Sequence, residues 1–439
     1  MGQGIKKKTF LLLISFFILC VGCTVKETYT GDTKEISGNA GSGTTDETPA
    51  ADKTETPEES LVDDSSTAAA ENSVTDETAA VAEKTQSVNL VMAGDILLHS
   101  PVEEAARDDE TGKYDFDFIF DHSREYISAA DIAVVNQEVM IGGEELGVSG
   151  YPAFNAPYEI SDALVKAGFD VVCHATNHAL DKGKKGIINC LDHWRETYPD
   201  ILVTGIYDNE EDASFDVIPV IERNGIKIAI LSYTYGTNGI SPPSDMKYAV
   251  SMLEKDRVIS QLDLAEEKAD LTVVCPHWGT EYSHNISGEQ KKWMEIFREH
   301  GADVVIGTHP HVTEPYVFYE DEDTENNTNN HGSGDMLVFY SLGNFVNWTS
   351  GSGPGVADRM VGAMADITVS RKEDGEVSID SYGVRNLVCH VRSGERNVTV
   401  YPLEEYTDDL AAENEIIKQD SSFSKEYCED LCERVFGDT

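Results

Sequence analysis

Polar strings set at the ends of apolar, β-branched runs constrain this chain more than any other feature. The runs are NLVMA (89–93), DIAVV (131–135), FDVVCHA (169–175), LTVVC (271–275) and ADVVI (302–306). Their composition reads as buried strands. The strings are AGDILLH (93–99), NQE (136–138), TNHALD (176–181), PHWGTE (276–281) and GTHPH (307–311). Strand ends of an α/β sheet open onto one edge, where ligands bind. Carboxylate, carboxamide and imidazole groups gathered there are the donor set of a two-metal hydrolase.

Between the runs the pattern alternates strand and helix. Helices are expected over 101–106, 118–128, 159–167, 184–197, 252–269 and 287–299. A hairpin is expected from strands at 215–223 and 226–234, turning at Asn224-Gly225. Late strands are expected at 336–340, 362–370 and 377–384, with a C-terminal helix over 425–435. Alternation followed by late hairpins predicts a four-layer α/β/β/α sandwich with a β-rich C-terminal extension.

The chain has 439 residues and a formal net charge of −47, which excludes nucleic acid as a partner. Residues 24–86 are rich in Thr, Glu, Asp, Ala and Ser, and bury too little apolar surface to offset ordering; they read as a disordered acidic linker. Ahead of them, Lys6, Lys7 and Lys8 precede the apolar run 10–20, too short for a comfortable spanning helix. Cys20-Val21-Gly22-Cys23 then resembles the lipobox of bacterial lipoproteins, with Cys20 where Leu is usual. The resemblance implies signal cleavage after residue 22, lipidation at Cys23, and an extracytoplasmic domain anchored to the cell membrane. Ordinary signal cleavage and an uncleaved anchor are the alternatives. The organisation expected is signal and lipobox at 1–23, linker at 24–86, folded domain at 87–346, and extension at 347–439. Residues 320–335 read as an acidic, Asn-rich surface insertion. Cys173 and Cys275 read as buried small hydrophobes, while Cys428 and Cys432 could bridge to each other or to Cys389.

GDILL, NQE, FNAPYE (154–159), GFDVVCHATNHALDKG, HWGTEY, GTHPHV and YSLGNFV (340–346) occur in the order seen in the CapA family of poly-γ-glutamate capsule synthesis proteins. That family resembles calcineurin-type metallophosphoesterases, so the resemblance implies a metallophosphatase-like fold over about 88–346. It also implies a role with capsule polymer, or with the complex that makes or exports it. The chain departs from the family at Thr176, where a second Asn is common.

Asp95 follows a strand and a glycine; alone it is a turn aspartate, but with the other strings it suits a bridging metal ligand. His99 stands four residues on, where calcineurin-type enzymes have Asp-x-His, and is expected nearer to substrate than to metal. Glu138 is expected on metal, with Asn136 on the same side orienting it or touching substrate. Asn177 offers a carbonyl oxygen to metal. His178 is expected as general acid or electrophile. Asp181 either holds the imidazole tautomer of His178 or is a helix N-terminal carboxylate. His277, His309 and His311 are expected on metal, the last pair facing one way on an extended segment. Glu281 and Asn344 are expected at the substrate rim. Such donors suit two divalent ions of Mn, Zn or Fe. A metal-dependent hydrolase of phosphoester, acyl or amide bonds is the first expectation. A non-catalytic surface factor binding an anionic polymer is the second.

Overall fold

The computed structural model describes residues 86–320, 334–394 and 396–437, all within the compact unit Ala80–Thr439. Cys23, most of the expected linker and most of the expected insertion lie outside the described residues. Strands β1 (Ser87–Ile96), β2 (Ile132–Asn136), β3 (Val171–Cys173) and β4 (Leu202–Thr204) run parallel in a first sheet. A second sheet contains β5 (Val220–Arg223), β6 (Ile226–Thr234), β7 (Leu271–His277), β8 (Val304–Ile306), β9 (Thr313–Tyr319) and β10 (Met336–Leu342). Its order is β5-β6-β7-β8-β10-β9, parallel from β6 to β10 with antiparallel strands at both edges. The short β11 (Asn344–Val346) returns to the end of β1. Strands β12 (Val361–Arg371), β13 (Val377–Val391) and β14 (Val398–Pro402) then extend the first sheet as an antiparallel meander from the other side of β1.

Period-two alternation explains how the second sheet sits between two cores. Ile230, Val273, Ile306 and Phe339 join the core shared with the first sheet. Their neighbours Leu231, Val274, Val305 and Val338 pack with Val258, Leu262 and Phe297 of helices Lys255–Lys268 and Gly288–Glu299. Between the sheets, Cys275 Sγ lies 3.7 Å from Met92 Sδ. Helices Glu159–Ala167 and Gly183–Thr197 bury Ile160, Leu164, Ile187 and Trp194 in the core of the first sheet. The architecture is the expected α/β/β/α sandwich.

An aspartate one residue before a strand fixes parallel register four times. The backbone N–H of Asp131 donates to Asn89 O, and its carboxylate accepts from Asn89 N at 2.9 Å. Asp170 does the same to Ala133, Asp270 to Lys227 and Asp303 to Thr272.

Local differences from expectation have local reasons. The helix expected over 118–128 divides into a 3-10 turn, Asp117–Phe120, and a short helix, Arg124–Ser128. Phe118, Ile119 and Phe120 are all buried, which one amphipathic helical face cannot achieve. The strand expected over 215–223 shortens to β5, and β9 forms despite Pro315 because it is an edge strand. All six described cysteines are buried free thiols, so Cys428 and Cys432 bridge neither to each other nor to Cys389.

Candidate metal centre and active-site cavity

The site forms where the C-terminal ends of β1, β2, β3, β7 and β8 meet. Asp95 sits at a register shift in β1. Gly94 beside it must be glycine, since a Cβ there would lie 2.1 Å from Gly343 O. The Asp95 side chain is fully buried; Oδ1 accepts from Asn136 Nδ2 at 2.7 Å and Oδ2 from His309 N at 3.2 Å. Glu138 follows β2 by two residues and is also buried. His277 ends β7, which runs through Pro276 rather than stopping at Cys275.

The imidazoles close over the carboxylates. His311 Nδ1 lies 3.4 Å from Asp95 Oδ2 and 3.7 Å from Glu138 Oε2. His277 Nε2 is 3.8 Å from Glu138 Oε1. His309 and His311 do not lie on extended backbone: their φ angles are +100° and +60°. Left-handed backbone at two non-glycine residues costs of order 1–3 kcal/mol each and persists only where surroundings impose it. One such restraint is the His309 N–H bond to Asp95. The rings still approach, with centroids 5.8 Å apart.

Burial raises the Glu138 carboxyl well above the usual carboxylate range; His311 opposes this and Asp95 adds to it. Burial depresses His277 and His309 well below the ordinary histidine value, and neighbouring imidazoles push the same way. For His311 burial pulls down, but Glu138 and Asp95 prevail and raise it to about 9. Of the three imidazoles, only His311 is pushed toward its charged form.

Unsatisfied atoms give the test of whether a metal fits. Neither oxygen of Glu138 has a hydrogen-bond partner, and neither does His309 Nδ1. An enclosed carboxylate without partners costs several kcal/mol unless a cation meets it. Among the described residues two groups have ligand atoms all within 4.8 Å of one another: Asp95, Glu138 and His311, and Glu281, His309 and His311. His311 belongs to both, and the carboxylate and imidazole donors suit a divalent transition ion. Glu281, expected at the substrate rim, is the exposed member of its group. His277 and Asn177 stand in the same place but engage each other, His277 Nε2 lying 3.1 Å from Asn177 Oδ1.

A cavity of about 630 Å³ opens beside this cluster, lined in part by Asn177, His178, Asp181, Glu281, His311 and Asn344. His178 Nδ1 is 2.7 Å from Asp181 Oδ2, which also accepts from Phe154 N at 2.8 Å. Phe154 meets the His178 ring edge-on at 4.6 Å. The amide of Asn344 is used within the protein, with Oδ1 3.0 Å from His311 Nδ1 and Nδ2 donating to His311 O and Arg359 O. His99 lines the cavity, and burial lowers it to about 4. Sequence reasoning missed Asn238, Asn347 and Arg359, which also line it. Asn238 Nδ2 lies 3.4 Å from His178 Nδ1.

The profile of the bacterial capsule synthesis protein family PGA_cap matches residues 89–349. The chain belongs to this family. It is 28% identical over 280 residues to the capsule biosynthesis protein CapA of Bacillus anthracis, covering 61% of this chain and 62% of that one. It is 30% identical over 191 residues to the PGA biosynthesis protein CapA of Bacillus subtilis (strain 168), covering 42% and 45%. The chain thus spans less than two thirds of the length of either relative. Among solved structures it is similar to the NAD nucleotidase NadN of Haemophilus influenzae, with TM-score 0.42, 14% identity, and 70% and 58% of the two chains covered. It is also similar to the protein TT1561 of Thermus thermophilus, with TM-score 0.35, 7% identity, and 67% and 98% covered. The family profile spans the described cluster from Asp95 to Asn344 and ends before Arg359.

Proposed function

We propose that this protein is a metal-dependent hydrolase of a phosphoester, or of an acyl or amide bond, acting in capsule poly-γ-glutamate synthesis or export. The observation that carries the reading is Glu138: a buried carboxylate with neither oxygen hydrogen-bonded, beside Asp95 and three imidazoles, one of which, His311, lines the cavity. Asp95, Glu138, Asn177, His277, His309 and His311, with Glu281 at the rim, would hold up to two ions of Mn, Zn or Fe. Such ions supply Lewis acidity and lower the pKa of an attacking water.

The protein's own groups do the rest. Asp181 fixes the His178 ring through Nδ1, leaving Nε2 to hand a proton to a leaving group. Asn136 and Asn344 hold Asp95 and His311 in place. The basic and apolar N-terminus with Cys23 supports export and a lipid anchor, which two acyl chains would make stable. Among the described residues no helix is long and apolar enough to cross a membrane.

The test is elemental analysis of the purified full chain against a His309→Ala, His311→Ala double variant. Near-stoichiometric metal in the parent, lost in the double variant, is expected. Hydrolysis of phosphoester and γ-glutamyl substrates should then fall about 10²–10⁴-fold in His178→Ala with metal content intact. A folded chain that takes up no metal after supplementation refutes the proposal. Metal uptake with no loss in His178→Ala moves the reading to a polymer-binding factor.

A further inference from the structure

We propose that Arg359 and Asn347 form an anion-recognition subsite in the same cavity, taking a free carboxylate together with the neighbouring amide of a glutamyl chain. The proposal rests on the hydrolase reading only for the identity of the polymer. Arg359 lies outside the stretch matched by the family profile, in a 3-10 turn, Ala357–Met360, just before β12.

That turn is held from three sides. The carbonyl of Arg359 accepts from Asn344 Nδ2 at 3.0 Å. The preceding Asp358 carboxylate lies 3.4 Å from His284 Nε2 and accepts a hydrogen bond from Tyr427 in the C-terminal helix Lys425–Phe436. The guanidinium carbon sits 3.7 Å from the centroid of the Tyr282 ring, which fixes the plane of the fork.

What the arginine lacks is a partner. Arg195, Arg223, Arg371, Arg385, Arg392 and Arg396 all pair with carboxylates. Arg359 has no ion-pair partner among the described residues, and its Nε is buried without a hydrogen bond. In a chain of net charge −47, a cation left unpaired in a cavity is a place for an anion from outside. Asn347 lines the same cavity; it is 1% exposed, and neither Nδ2 nor Oδ1 is hydrogen-bonded. A guanidinium fork binds a carboxylate through paired N–H donors. Asn347 adds an NH₂ that donates and a carbonyl oxygen that accepts, and the oxygen needs a donor from the ligand, which a peptide N–H supplies. A γ-linked glutamyl residue presents a free carboxylate next to a peptide N–H; a phosphate group presents no N–H.

The experiment measures binding of two probes to the full chain by calorimetry: a γ-glutamyl oligomer, and the same oligomer with its carboxylates amidated. The parent should bind the acidic oligomer about 10-fold or more tightly than the amidated one. Arg359→Gln should erase that preference, Arg359→Lys should keep part of it, and Asn347→Ala should weaken both probes. Circular dichroism and thermal melting check that each variant is folded. The His309→Ala, His311→Ala chain should keep the preference; a parent chain that shows the preference but takes up no metal and hydrolyses neither substrate class refutes the hydrolase while leaving the subsite standing. Equal or absent binding of the two probes by the parent overturns the subsite, as does an unchanged preference in Arg359→Gln. Inorganic phosphate displacing the acidic oligomer at equal concentration, in an Arg359-dependent way, overturns the carboxylate assignment in favour of a phosphate site.

Discussion

The two ends of the parallel strands use the same chemical group in opposite ways. At the N-terminal end, Asp131, Asp170, Asp270 and Asp303 each accept a backbone N–H from the adjacent strand at 2.7–2.9 Å. At the C-terminal end, Glu138 is more deeply buried than any of them, at 1% exposed, and accepts a hydrogen bond from nothing. A carboxylate whose oxygens are satisfied within the fold is part of the fold's register. One enclosed without partners leaves its charge to be met from elsewhere. Asp95 stands between the two cases, with one oxygen toward Asn136 and the other shared by His309 N and His311.

The largest test of this contrast is Glu138→Gln. The change keeps shape and removes charge, so hydrolysis and metal affinity should fall by at least about 100-fold. The thermal midpoint of the metal-free chain should change little, because the cost of burying a carboxyl with no hydrogen-bond partner offsets its attraction to His311. A variant that melts well below the parent without metal would show that Glu138 has a structural role, and the contrast would fail.

The same contrast shows how much the sequence reveals. Strand positions and the residues at their C-terminal ends were legible because β-branched runs ending in polar strings have one simple geometric meaning. The four register-fixing aspartates carried an equally plain signal, an Asp directly before each run, but it repeats at strand starts, away from the chemistry. His309 and His311 were expected together through extended backbone, whereas left-handed φ angles bring them there. No sequence periodicity reports such angles for histidine. Asn347 and Arg359 were invisible for a different reason. They lie outside regular strands and helices, in a loop and a 3-10 turn, and only tertiary contacts with Tyr282, Asn344 and Tyr427 give the Arg359 turn a defined place.

At the opposite end of the strands, Asp303→Ala should cost stability and spare chemistry. It leaves the N–H of Thr272, itself 1% exposed, buried and unpaired. A loss of about 1–3 kcal/mol in denaturant unfolding is expected, with metal content unchanged. Loss of metal from a variant that unfolds like the parent would contradict the division between the two ends.

The smallest effect is the pH dependence of that same residue. Burial raises Asp303 from 3.8 to about 8, although the Thr272 N–H pulls it down. The folded chain therefore holds a proton that the unfolded chain has released between these two values. Its contribution to stability is present below pH 4, declines as pH rises toward 8, and is constant above it. Asp303→Asn keeps a carbonyl acceptor for Thr272 and cannot titrate. It should make the decline between pH 4 and 8 shallower by at most about 1.4 kcal/mol per pH unit. Glu103 and Glu314, which burial also raises to about 8, should leave a residual slope. If urea midpoints of parent and Asp303→Asn fall in parallel across that range, Asp303 is ionised in the fold. Its bond to Thr272 would then be charge-assisted, and Asp303 would differ from Glu138, whose carboxyl burial raises, in protonation as well as in partners.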